Sequence, residues 1–131
     1  MKRKTLIIVL VSAMLLMLAV TIGIAEEYIP FSSGANSATI SFKISDGKGT
    51  ATGSTTALAT GTYPKTTVYV QKKVGTSWET VASSSGGTSA QASCSVESGK
   101  YYRGRVVSKI YNSAGEQVDE LSMNTNPKLA P

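Results

Sequence analysis

The sequence contains no histidine and a single cysteine, Cys94, in 131 residues. The missing histidines remove the Ser-His and Cys-His arrangements of nucleophilic catalysis. They also remove the commonest acid–base group near neutral pH and the usual ligand of a transition-metal site. One thiol cannot close an intrachain disulfide, so the fold has to hold by packing, and no disulfide-linked partner is expected. Glycine-rich phosphate loops are absent too, because Gly47 and Gly49 precede a strand-like run rather than a helix. Past residue 25, no stretch sustains an apolar period of 3.6, which argues against helices as building elements.

One long hydrophobic run is present, near the N-terminus. Lys2, Arg3 and Lys4 precede Leu6–Leu18, which is apolar except for Ser12, and Gly23 and Ala25 supply small residues at the −3 and −1 positions of a cleavage site. This three-part pattern predicts a signal peptide over residues 1–25. Thr5–Ala25 is also long enough to cross a bilayer, which takes roughly 20 residues, so an uncleaved anchor is the alternative. Either way the remainder is expected to be secreted and extracellular, or tethered to the outer face of the membrane. The formal charge of +5 includes the three basic residues of the signal. From Glu26 onward ten Lys or Arg face eight Asp or Glu, leaving about +2, so a nucleic-acid partner is not expected.

The remaining 106 residues suit one domain. Residues 26–37, with Pro30 and the run Ser32-Ser33-Gly34-Ala35-Asn36, read as a flexible leader. Residues 38–122 read as the domain and residues 123–131 as a flexible tail. Within the domain, Ala38–Ser45 alternates, with Ile40, Phe42 and Ile44 on one face. Asp46-Gly47-Lys48-Gly49 is a turn. Thr50–Leu58 is a strand of small residues that belongs at an edge or under a close-packed partner. Thr66–Val74 is a strand, and Val68 and Val70 are expected to face Trp78 and Val81 across a hairpin. Trp78–Ser83 is then a short strand and Ser83–Ser89 a mobile Ser/Gly/Thr loop. Ala90–Glu97 puts Ala92, Cys94 and Val96 on one face. Tyr101–Tyr111 is the longest strand, with Tyr102, Gly104, Val106, Ser108 and Ile110 on one side. Gln117–Ser122 is the last. About seven short strands with turn signals between them predict an all-β chain, a small immunoglobulin/fibronectin-like β-sandwich of antiparallel strands, with its connectivity left open and a barrel as the alternative.

Ile40–Glu120 resembles small secreted β-sandwich proteins of Gram-positive, Clostridia-like bacteria. The likeness rests on Ile44-Ser45-Asp46-Gly47-Lys48-Gly49-Thr50-Ala51, on Val70-Gln71-Lys72-Lys73 followed by Trp78, on Gly99-Lys100-Tyr101-Tyr102-Arg103 before a long strand, and on Gly115 before the last one. The resemblance implies export and a β-sandwich at the cell surface and carries no mechanism or catalytic residues.

The outward face of the long strand is the leading candidate site. Tyr101, Arg103, Arg105, Lys109 and Tyr111 put aromatic and basic groups in one row, with same-face neighbours about 6.6–7 Å apart. Such a row binds an anionic polymer by stacking and charge; outside the cell the fitting target is an envelope polysaccharide, with a surface protein as the other partner class. An ordinary solvated face is the plain alternative. Trp78 reads either as a lid on the core or as an exposed stacking platform on the same surface. Cys94 reads as a small buried apolar residue, with a reactive thiol or an intermolecular disulfide as the alternative. Asp46 and the pair Asp119-Glu120 are the only pointers to calcium, and neither has calcium-loop spacing. No cofactor or metal is expected. Glu79, Glu97, Glu116, Asp119 and Glu120 are the carboxylates a glycosidase would need, each in a polar context near a turn or strand end. The expectation is a secreted or cell-surface non-catalytic binding or structural module. The alternatives are a secreted effector acting on neighbouring or host cells, and a small polysaccharide-active enzyme. The leader before Ala38 also offers a strand for self-association at a sheet edge.

Overall fold

The computed structural model describes residues 27–33 and 36–131. Residues 1–25, read from the sequence as a signal peptide, lie outside the described residues. Nine strands follow in order: β1 (Glu27–Ser33), β2 (Asn36–Ser45), β3 (Lys48–Ala57), β4 (Tyr63–Val74), β5 (Ser77–Gly86), β6 (Ser89–Ser95), β7 (Tyr101–Tyr111), β8 (Gln117–Asn124) and β9 (Lys128–Leu129). Among the described residues there is no helix. One sheet has the order β1-β2-β3-β6. The other has the order β5-β4-β7-β8, with β9 continuing the β8 side of β7. Every pairing is antiparallel. The two sheets pack face to face as a small immunoglobulin/fibronectin-like β-sandwich. β5 stays beside β4 and does not join the first sheet.

Alternation builds the core. Ile40, Phe42 and Ile44 on β2 meet Val68 and Val70 on β4 and Tyr102 and Val106 on β7, all buried. Each large side chain removed from water contributes about 1.5–3 kcal/mol. Asp46 and Gly47, with φ of 53° and 74°, make the two-residue β2–β3 turn, which is why Asp-Gly stands there. The small residues of β3 are explained by position: the strand is central, and a Cβ on Gly53 would lie 2.8 Å from Val68 Cγ2 and 3.0 Å from Val106 Cγ2.

Beyond this main core lies a buried chain of hydroxyls. Thr66 Oγ1 donates to the Gly87 carbonyl at 2.7 Å. A hydroxyl has one proton, so Thr55 must donate to Thr66 (2.7 Å) and Ser108 to Thr55 (2.6 Å). A second apolar cluster, Ala38, Ile110 and Leu121, packs nearby with Ala57.

Four expectations need correction. Within the stretch read as a leader, Glu27–Ser33 is strand β1 and pairs with β2 along its whole length, so the protein's own strand takes that edge. Ser83–Ser89 is mostly strand, because β5 continues to Gly86 along β4 and β6 starts at Ser89; serines suit an edge strand bound by its backbone. The tail 123–131 is docked. Thr125 Oγ1 accepts from Gly104 N–H, and the Ala130 backbone bonds both Gly99 and Lys100. Ala130 is 1% exposed and joins the core.

Trp78 also lies away from its expected place on the core. Val70 pairs with Ala82 but Gln71 pairs with Thr80, so Val81 is an extra, unpaired residue. Such a bulge shifts the face of everything beyond it. Ala82 points inward opposite Val70, while Trp78 and Thr80 are turned to the outer face opposite Lys73 and Gln71. Trp78 is therefore no core lid, and Val81 is left exposed.

Candidate functional site

The outer face of the β5-β4-β7-β8 sheet is organised in cross-strand rows. Tyr63 pairs with Tyr111, Lys65 with Lys109, Thr67 with Val107, Tyr69 with Arg105, and Gln71 with Arg103. On the far side of β7, Lys109 faces Glu120, Val107 faces Ser122 and Arg105 faces Asn124. The alternation read from β7 places all five of its candidate residues on this one face, and the β5 bulge adds Trp78. Between Arg103 and Tyr111 the row extends about 27 Å at the usual strand rise.

Two parts of the row differ in character. At one end, the Tyr63 and Tyr111 rings stack with centroids 5.6 Å apart and planes at 26°; each ring covers part of the other, and Tyr63 is half exposed. Lys109 has a carboxylate, Glu120, as its cross-strand neighbour. At the other end the guanidinium of Arg103 lies over the Trp78 ring, 4.3 Å from its centroid, and its Nε donates to Gln71 Oε1 at 2.8 Å. Arg105 Nη1 donates to Asn124 Oδ1 at 2.9 Å. Partial burial, and then the neighbouring charge of Arg105, push the Arg103 pKa down. No carboxylate among the described residues pairs with either arginine. Tyr101 is exposed at the end of the row, where its backbone pairs with Leu129 of β9.

Gln71, Asn124 and Tyr69 were not singled out from the sequence. They belong to the site through strand register, and only alternation on β4 and β8, combined with knowledge of which strands are neighbours, points to them. Trp78 does not offer a bare ring: the face towards Arg103 is occupied by the cation.

The other candidates are dispersed. Asp46 sits in the β2–β3 turn, whereas Asp119 accepts from Asn36 Nδ2 at 2.8 Å at the opposite end of β2. Glu97 is bound by Lys72 at 2.5 Å. This contact holds the Glu97 carboxyl below and the Lys72 ammonium above their usual pKa ranges. Glu116 accepts from Asn112, and Glu120 from Gln117. No group of three or more Cys, Asp or Glu capable of holding a metal occurs among the described residues. Cys94 is half-buried opposite Gly49 on β6 and packs against the core beside Val96; burial pushes its thiol pKa up.

Fold and surface together define the class: a small immunoglobulin/fibronectin-like β-sandwich with an aromatic and arginine-bearing outer face. No protein-family model matches the chain, and no curated protein matches it significantly.

Proposed function

We propose that the chain is an exported, non-catalytic module, secreted or held at the cell surface, which binds an envelope polysaccharide through the outer face of the β5-β4-β7-β8 sheet. The observation that carries this reading is the row Trp78, Arg103, Tyr69 and Arg105: aromatic rings and cations side by side on one outer sheet face, with both arginines held by side-chain contacts. A rigid strand surface presents such groups with little ordering cost on binding. Export is supported by the three-part N-terminal segment and by the resemblance to small exported proteins of Gram-positive bacteria. The non-catalytic reading is supported by the lack of histidine and by the local polar partners that hold Glu97, Glu116, Asp119 and Glu120.

The test is a titration of the domain with polysaccharides purified from a Gram-positive envelope, read through the emission of Trp78, the one tryptophan in the chain. Binding that shifts this emission and is lost in Tyr69→Ala supports the reading. Absence of binding, or binding indifferent to Tyr69→Ala, refutes it. Release of reducing ends from any of the polymers would refute the non-catalytic part.

A further inference from the structure

We infer that the group recognised on this face is an anion carried by the polymer, a carboxylate or a phosphate, clamped between Arg103 and Arg105. The inference deepens the polysaccharide-binding reading and rests on it.

The two arginines are same-face neighbours on β7, their backbones about 6.6–7 Å apart. Two guanidiniums at that spacing repel, and a fold that used them only as structural props would be expected to place carboxylates beside them. The acceptors are instead neutral amides, Gln71 and Asn124. A neutral amide fixes the direction of a guanidinium without cancelling its charge. Each contact also spends only part of the donor set. Arg103 uses Nε and keeps both η nitrogens, and Arg105 uses Nη1 and keeps Nη2 and Nε. A guanidinium has five N–H donors in a planar fork that matches the paired oxygens of a carboxylate or phosphate. Trp78 covers one side of Arg103, which both orients the fork and shields it from water. On this face Arg103 and Arg105 are the cations held by neutral amides, whereas Lys109, beside Lys65, has Glu120 opposite it, and Lys73 lies opposite Trp78. Because the Trp78 ring already carries a cation, an anion above Arg103 fits this end of the row better than a neutral sugar stacked on indole. Tyr69, across from Arg105, is the ring left to take the sugar.

The experiment measures affinity of the domain for polygalacturonate, for its fully methyl-esterified form and for a glycerol-phosphate polymer, by calorimetry and Trp78 emission. Polygalacturonate, the glycerol-phosphate polymer or both should bind at least tenfold more tightly than the neutral ester, with affinity falling steeply as salt rises. A preference for the first marks a carboxylate and for the second a phosphate. Arg103→Gln or Arg105→Gln should each lower affinity for the acidic polymer about tenfold, the scale of one lost charge-assisted contact. Arg103→Lys, which keeps the charge but not the fork, should fall between. Both side chains lie on the outer face and outside the core, so the circular dichroism of the variants should match the parent and their melting temperatures should fall only slightly. Equal binding of acid and ester, or binding that survives both arginine variants and is lost in Tyr69→Ala, overturns the clamp and leaves the binding face standing. Binding of none of the three polymers overturns the clamp, and the envelope titration then decides the broader reading.

Discussion

Substituting Gly53 by alanine tests how closely the two sheets approach over the centre of the core. The added Cβ would sit 2.8 Å from Val68 Cγ2 and 3.0 Å from Val106 Cγ2. Both valines are fully buried, so neither side chain can swing away. Overpacking of this kind costs typically about 1–3 kcal/mol, and replacing a strand glycine returns about 0.5–1 kcal/mol of chain entropy. The net destabilisation spans about 0–2.5 kcal/mol and centres on ~1 kcal/mol, and each kilocalorie lowers the melting temperature of a domain this size by about 4–8 °C. Gly104 is the internal comparison. Its added Cβ would meet Ala51 Cβ and Phe42 Cβ at 3.2 Å, slightly farther off but against atoms fixed to the backbone, which no rotamer change can move. Urea unfolding should therefore place both variants below the parent. Combining Gly53→Ala with Val68→Ala should cost less than the sum of the two, because the second change removes the atom struck by the first. A Gly53→Ala midpoint equal to that of the parent, or full additivity with Val68→Ala, would refute the close-approach argument.

Thr55→Val should destabilise by about 1–3 kcal/mol in urea unfolding, because the buried Ser108 hydroxyl loses its acceptor; Thr55→Ser, which keeps the chain of hydroxyls, should cost much less. The Lys72–Glu97 pair should stabilise across neutral pH. The lowered Glu97 pKa makes its contribution present above the ordinary carboxylate range and lost as pH falls through the folded value, and the raised Lys72 pKa makes it fade as pH rises past the ordinary lysine range. The melting-temperature gap between parent and Glu97→Gln should thus be small at pH 7, shrink in strong acid and shrink in 1 M salt. Cys94 should react slowly with a thiol reagent at pH 8 and rapidly in denaturant, since its pKa is raised by burial; rapid labelling of the native protein would contradict its packing beside Val96.

Much of this architecture is legible wherever strict alternation holds. On β7, Tyr102, Val106 and Ile110 face inward and the candidate row faces outward, as the period of two requires. The same is true of Ile40, Phe42 and Ile44 on β2. Alternation fails at β5 because one inserted residue, Val81, reverses the faces, and nothing in the string Trp78-Glu79-Thr80-Val81-Ala82 marks a bulge. Trp78 is consequently misread as facing Val68 and Val70. The serines of β5 and the residues after Asn124 look like loop because they carry little apolar surface. Backbone pairing to β4 holds the first, and backbone bonds from Ala130 to Gly99 and Lys100 hold the second. Such bonds leave no side-chain signature. At the site, the five β7 residues follow from one strand's period, whereas Gln71, Asn124 and Tyr69 depend on which strands become neighbours.

The most direct test of the binding face is a nuclear magnetic resonance titration of the labelled domain with polygalacturonate, observing the Nε groups of Arg103 and Arg105, the Trp78 indole N–H and the backbone amides. Shifts concentrated at these groups and at Tyr69, Gln71 and Asn124, with the β2-β3-β6 face unmoved, are the predicted result. Shifts centred on the outer residues Thr50, Thr52 and Ser93 of the opposite sheet, with both arginines silent, would contradict it.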